Sequence, residues 1–157
     1  MNLWVYKVRN DPDTEYNAYG DWESVFAEPW RDHAWGGAWA SSRADDKRIF
    51  DDEVERGDLV LAWQSDRRAA IGLCGVTGSQ PSEHDGLDLV LRPVERFSAP
   101  VKLHVLKRTT HLELQKVQAL KQGHIRTIYP TSSKEARLLL AACGSERRVR
   151  TRGGDTL

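Results

Sequence analysis

Apolar residues recur along the chain with two periods, and each period predicts a different kind of element. Alternation over residues 3–8 predicts a first strand, which the turn-forming run at residues 9–13 ends. Three closely spaced apolar stretches predict further strands, at residues 59–63, 70–77 and 87–97. Both alternate faces of these strands are apolar, so we expect a sheet buried on both faces. A strongly curved sheet covered by helices is buried in this way.

Helical spacing predicts about three helices, which makes the fold class mixed α/β (α+β). The first helix is expected over residues 45–56, ended by Gly57, because glycine adopts the left-handed conformation at little cost. Two later helices, over residues 110–122 and 132–143, begin with the Ser/Thr-x-x-Glu pattern of a capping box. One helical turn is expected over residues 21–26.

Several connecting segments carry additional expectations. Pro93 interrupts the strand at 87–97 and predicts a bend or an edge, and residues 100–103 predict a separate short strand. Residues 14–44 form a long connection of a length that is uncommon in compact domains and usually functional. That connection is polar but aromatic, with Trp22, Phe26, Trp30, Trp35 and Trp39.

Length and composition are those of one soluble globular domain. The chain has 157 residues, of which 39% are hydrophobic and 29% charged. We expect one domain over residues 1–144 and a mobile basic tail over 145–157. No apolar run approaches the about 20 residues of a membrane helix, and no secretory signal is evident, so we expect a cytoplasmic protein. Cys74 and Cys143 are expected to be buried reduced thiols, with one disulfide as the alternative.

A net charge of zero conceals an asymmetry along the chain. Residues 1–66 carry 7 Lys/Arg and 15 Asp/Glu, whereas residues 67–157 carry 16 and 8. The basic half could make one face attractive to phosphates. The alternative is that the two halves attract each other across one fold.

Motifs specific for catalysis are absent from the sequence. It contains no phosphate-binding glycine loop, and its five histidines do not stand at metal-ligand spacing. We therefore expect a protein that is not an enzyme and that holds no metal or cofactor. An enzyme acting on a nucleic acid or a small metabolite would need a metal or a perturbed titratable pair.

The tryptophans carry the one candidate binding chemistry, because an open indole face can stack on a nucleobase for about 1–3 kcal/mol per base. Trp39 stands in the small-residue context Gly-Gly-Ala-Trp-Ala-Ser-Ser, which leaves little to bury it. Trp63 and Trp22 are candidates for an opposing wall, with burial in the core as their alternative. Basic residues near these positions could contact phosphate; they are Lys7, Arg9, Arg43, Lys47, Arg67 and Arg68.

The chain resembles the EVE-domain family of the PUA-like superfamily, the sister group of the YTH domains. The resemblance covers roughly residues 1–144. It rests on the order of several short motifs: the aromatic first strand with its turn (LWVYKVRND), the Gly-x-Trp-x-Ser segment at residues 37–41, the turn and strand that begin at Gly57-Asp58, and Tyr129-Pro130-Thr131. It implies a PUA-like, strongly curved β-sheet or barrel flanked by about three helices.

The resemblance also implies a site. Trp39 would form one wall of an aromatic pocket, and the base edge would be read by Asn10, Asp13, Ala40 and Ser41. Lys7 would face phosphate. No tryptophan follows Trp63, so Trp63 or Trp22 would have to replace the second cage wall of the sister family.

The expected function is a non-catalytic module that holds an extruded, modified nucleobase, with modified cytosine in DNA favoured over RNA ligands. A nuclease or other effector activity would come from a separate chain. The alternative is a protein-interaction module that uses the tryptophan-rich loop at residues 14–44 as its partner surface.

Overall fold

The computed structural model describes residues 1–10, 18–36, 52–81, 87–109, 120 and 128–147. Seven strands in this part of the chain form one sheet: β1 (Leu3–Arg9), β2 (Ala18–Tyr19), β3 (His33–Gly36), β4 (Leu59–Gln64), β5 (Ala69–Pro81), β6 (Leu87–Lys102) and β7 (Ile128–Pro130). Three helices accompany them over the same described ranges: α1 (Trp22–Phe26), α2 (Leu103–Thr109) and α3 (Ser133–Ala142). The mixed α+β class is confirmed.

The strands follow the order β2-β1-β4-β5-β6-β3, and β7 pairs with β1 beside β2. β1 runs parallel to β2 and β4, while β4, β5 and β6 form an antiparallel meander. β4 and β5 thus form a hairpin, as the short spacing between their two apolar stretches predicts. Across the described residues the sheet stays open, because β2 and β3 lie at its two ends and do not pair.

Strong curvature brings distant strands of this sheet together. β1 and β3 are four strand steps apart, which would be roughly 19 Å in a flat sheet. Yet the ring centroids of Tyr6 on β1 and Trp35 on β3 lie 5.9 Å apart. The sheet therefore bends round on the side that these rings occupy, which is its concave side.

Both faces of the sheet are buried, as the doubly apolar strands predict. The concave face carries Tyr6, Val60 and Ile71 and is filled by Trp22 and Phe26 of α1. The opposite face is covered by α2 and α3 through buried residues that include Leu106, Leu139 and Leu140. At about 25 cal/mol per Å² of buried apolar surface, these two cores dominate the favourable free energy of folding.

Two expectations about strand and helix limits are wrong. Residues 100–102 continue β6 instead of forming a separate strand, and helix α2 begins at Leu103. Residues 14–44 do not form one long loop, because their described part contains β2, α1 and β3. The helical turn expected over residues 21–26 is confirmed as α1, where an Asp21 side-chain oxygen accepts a hydrogen bond from the Glu23 N–H at 3.0 Å.

Other local predictions are confirmed. Pro93 lies in the part of β6 that pairs with β5 alone, next to a shift in register, so it stands at an edge. The capping box of α3 is complete between Ser132 and Glu135. Gly57 and Gly144 have φ of 95° and 72°, values that favour glycine.

Cys74 and Cys143 are both buried and free, so the predicted reduced thiols are confirmed. Burial raises the pKa of the Cys74 thiol far above its ordinary value. It raises the pKa of Cys143 to about 12, with a further contribution from the charge of Glu95. Neither thiol is a ready nucleophile.

Several predicted regions fall wholly or partly outside the described residues. The helix expected over 45–56 is described only from residue 52, and the one over 110–122 only at residue 120. The expected basic tail is described at residues 145–147, where Ser145 Oγ donates to Glu95 Oε1 at 2.9 Å and Arg147 donates to the carbonyl of Val94. No helix of the described residues is long and apolar enough to span a membrane.

Candidate nucleic-acid interface

One end of the sheet carries several of the described residues that the sequence singles out. The parallel strands β1 and β4 finish together there, with Val8 paired to Gln64. Gln64 is buried, and its Oε1 accepts from the backbone N–H of Trp22 at 2.9 Å. Its Nε2 donates to the carbonyl of Gly20 and to Asp66 Oδ1. This one amide therefore joins the start of α1, the end of β2 and the β4–β5 turn.

Asn10 lies at the same end of the sheet. Its backbone N–H donates to Asp66 Oδ1 at 3.1 Å, and the residue is exposed, so its side chain is available to a ligand. Burial opposes ionisation of Asp66, but hydrogen bonds from Gln64 and Asn10 and the charge of Arg9 lower the pKa of this carboxyl below its ordinary value. Asp66 thus stays ionised and fixes the exit of β1. Arg9 is exposed beside it, as a phosphate-contacting residue requires.

Three aromatic rings form a cluster inside the curve of the sheet. Trp22 and Trp35 have ring centroids 4.3 Å apart, and Tyr6 meets Trp22 edge-on at 5.5 Å. Trp35 is half-buried and lies against Gly20, where an added Cβ would come within 3.1 Å of the indole. β3 ends at Gly36, so the cluster stands immediately before the segment that contains Trp39.

Trp22 and Trp63 do not offer open faces to a ligand. Their side chains are 0% and 4% exposed, and they belong to the cores on opposite sides of the sheet. The Trp22 Nε1–H donates to the backbone carbonyl of Trp63 at 3.2 Å, so Trp22 contacts the backbone of β4 and not the Trp63 indole. Their placement as pocket walls is therefore corrected, since an indole enclosed in a core has no free face for a base.

Lys7 also departs from its expected place. Its residue is 7% exposed, and its Nζ lies 4.9 Å from the centroid of the Tyr129 ring. Burial lowers the pKa of the ammonium from 10.5 to about 8, because the charged form loses its hydration. The ring face of Tyr129 partly compensates, since it attracts a cation. Lys7 therefore stands in the core beneath the interface and does not face phosphate.

The remaining predicted site residues lie outside the described residues. They are Asp13, Trp39, Ala40, Ser41, Arg43 and Lys47. Their roles remain predictions from the sequence.

A basic groove lies at this end of the sheet, and the sequence did not predict it. It has a volume of about 310 Å³ and is lined by Arg67, Arg68, Lys102, Leu103, His104 and Lys107. The sequence indicated only Arg67 and Arg68 as candidate phosphate contacts, because the other basic residues of the groove follow Arg68 by more than 30 positions. Their proximity depends on the pairing of β5 with β6, which brings Ala69 opposite Lys102.

The opposite end of β1 has the reverse charge. A pocket of about 230 Å³ there is lined by Asn2, Leu3, Trp4, Asp52, Glu53, Glu55, Pro130 and Thr131. The three acidic residues that line it would repel a phosphate. Among the described residues, no group of three His, Cys, Asp or Glu side chains could hold a metal ion.

Solved structures share this architecture over nearly their whole length. Protein Atu2648 from Agrobacterium tumefaciens is 20% identical, with 92% of each chain covered and a TM-score of 0.68. Human THYN1, solved in complex with DNA containing 5-methylcytosine, is 16% identical, covers 94% of this chain and 100% of its own, and has a TM-score of 0.69. The DUF55 domain of human thymocyte nuclear protein 1 is 15% identical, with 90% and 98% covered and a TM-score of 0.66.

No family model and no curated protein matches the chain. At identities of 15–20%, the structural likenesses establish the fold and nothing finer. The chain therefore has the fold of THYN1 and of the DUF55 domain, and the PUA-like curved sheet that the resemblance predicted is confirmed.

Proposed function

We propose that this chain is a non-catalytic nucleic-acid-binding module that holds an extruded modified nucleobase, with modified cytosine in DNA as the favoured ligand. The observation that carries the proposal is the likeness to THYN1, which was solved on DNA containing 5-methylcytosine and matches 94% of this chain. The module would act together with a separate nuclease or other effector chain.

The geometry of the β1–β4 end supports this proposal. It presents the exposed Asn10 and Arg9 next to the ordered Gln64–Asp66 network. The aromatic cluster of Tyr6, Trp22 and Trp35 includes a residue of β3, which ends three positions before Trp39 in the sequence. In the proposed site, Trp39 stacks on the base, and Asn10, Asp13, Ala40 and Ser41 read its edge. The buried Trp22 supports the site and does not touch the ligand.

The test is a binding titration of labelled short DNA duplexes, with and without one 5-methylcytosine, against Trp39→Ala. We expect the wild type to prefer the modified duplex. Loss of one stacking partner should weaken its binding by about 1–3 kcal/mol and remove the preference, with the unfolding free energy unchanged.

Trp30→Ala is the matched control, because the Trp30 residue is 70% exposed and removing its indole opens no cavity. This variant should keep the wild-type preference. A Trp39→Ala protein that discriminates between the two duplexes as well as the wild type does would refute the stacking role.

The exposure of Trp30 also favours the second candidate function, a protein-interaction module. A large exposed indole is a typical anchor of a partner surface. This candidate predicts self-association or a stable protein complex that Trp30→Ala abolishes, together with no binding of either duplex at low salt. Salt-dependent DNA binding that Trp30→Ala leaves intact would exclude it.

A further inference from the structure

The basic groove presents hydrogen-bond donors from two parts of the chain that the fold joins. Arg67 and Arg68 belong to the β4–β5 turn, and Lys102 and Lys107 belong to the end of β6 and to α2. Arg68, Lys102 and His104 are exposed, and Lys107 is half-buried. Apart from Leu103, every residue that lines the groove can carry a positive charge.

Among the described residues, most of this charge has no acidic partner. Arg67 pairs with Glu23 at 3.0 Å, and Glu23 also binds Arg96. Within the described parts of the chain, no ion pair involves Arg68, Lys102 or Lys107. Like charges held together without counterions repel one another, so an anion that enters the groove relieves this repulsion.

Backbone contacts fix the two sides of the groove against each other. The Leu103 N–H donates to the carbonyl of Arg68 at 2.9 Å, and Lys102 Nζ donates to the carbonyl of Arg67 at 3.4 Å. Arg68 has φ of 48°, a left-handed conformation within the β4–β5 turn. The groove is therefore built by the fold and does not depend on a chance arrangement of surface lysines.

The groove lies next to the proposed base site. Asp66, which binds the backbone of Asn10, directly precedes Arg67 in the same turn. A strand whose base is held beside Asn10 and Arg9 can thus continue across this turn into the groove. The acidic pocket at the opposite end of β1 offers no comparable path for a phosphate backbone.

We propose that this groove binds the phosphate backbone of the nucleic acid next to the extruded base, with Arg68, Lys102 and Lys107 as the phosphate contacts. The inference rests on the proposed function and adds the direction in which the strand leaves the base site. The groove contributes affinity that is independent of base modification, because phosphate contacts carry no sequence information.

The experiment measures how duplex affinity depends on salt for Arg68→Asn/Lys107→Gln. Asparagine is chosen because it tolerates the left-handed backbone of Arg68. The control variant, Arg56→Gln/Arg137→Gln, removes the same charge at two exposed positions outside the groove. The probes are a short DNA duplex with one 5-methylcytosine and its unmodified counterpart.

Two lost phosphate contacts should lower the magnitude of the slope of log K against log salt by about 1.8 for a duplex. We expect this change for both duplexes, with the ratio of their affinities unaltered, and a much smaller change in the control variant. Equal slopes in the groove and control variants would overturn the groove assignment.

The outcomes separate this inference from the proposed function. If the wild type discriminates between the duplexes but the groove and control variants behave alike, the groove assignment alone fails. If both duplexes bind equally with a groove-dependent slope, the base pocket fails and the groove stands. Absence of binding to either duplex by the wild type overturns both.

Discussion

Lys7 shows how a single residue can couple this fold to pH. The pKa of its ammonium is about 8 in the folded chain against an ordinary value of 10.5, because burial removes its hydration. Below pH 8 both states carry the proton. Between pH 8 and 10.5 the unfolded chain binds the proton and the folded chain does not, so the free energy of unfolding rises with pH.

We predict that Lys7→Met abolishes this rise in the free energy of unfolding, which amounts to about 3 kcal/mol between pH 8 and 10.5. The measurement is denaturant unfolding of both proteins over this pH range, compared as a difference so that titration of other groups cancels. A difference in unfolding free energy that stays constant with pH would show that the Lys7 ammonium is not desolvated.

The site residues divide by whether their burial follows from local sequence. Trp63 is the third of the alternating residues Leu59, Leu61 and Trp63, so strand periodicity already places it with two core leucines. The burial of Trp22 has no such signal, because it depends on Gln64 and the carbonyl of Trp63, both more than 40 positions away. The role of Trp39 rests on its small-residue context and on the family resemblance. Trp39 itself lies outside the described residues.

At the scale of elements, features with short-range causes are the predictable ones. The short spacing of two apolar stretches predicted the β4–β5 hairpin, and capping patterns predicted the limits of α3. The start of α2 and the length of β6 had no local signal, because the ladder of β6 with β5 continues to Lys102 and overrides Pro100. The basic groove was missed for the same reason, since pairing of distant strands assembles it.

The capping box of α3 provides a test at this scale. Ser132 Oγ accepts from the Glu135 N–H at 3.1 Å, and Glu135 Oε1 accepts from the Ser132 N–H at 2.9 Å. Ser132→Ala should lower the free energy of unfolding by about 1 kcal/mol. The control Ser133→Ala makes the same chemical change inside the helix and should leave stability unchanged. Equal effects at the two positions would contradict the capping role.

The whole molecule is organised by the curvature of its sheet, which no local pattern specifies. Alternation predicted two buried faces, but the contact of Tyr6 with Trp35 requires β1 and β3 to meet across three intervening strands. Gly72 stands where β5 approaches both β6 and α1. An added Cβ would come within 2.7 Å of Phe26 Cζ and would also strike the carbonyl oxygen of Glu95.

We predict that Gly72→Ala lowers the free energy of unfolding by about 1–3 kcal/mol, because the backbone of β6 cannot yield as a flexible side chain would. Phe26 belongs to α1, so its displacement should also move Trp22 against Trp35 and change the near-ultraviolet circular dichroism of the aromatic cluster.

Gly78→Ala is the control, since a Cβ at Gly78 meets no atom within 4 Å. If both variants unfold at the same denaturant concentration and keep the wild-type aromatic spectrum, the close approach at Gly72 does not hold the curvature. Loss of stability and aromatic signal at Gly72 alone would show that the bend of the sheet and the packing of α1 form one unit, on which the proposed base site stands.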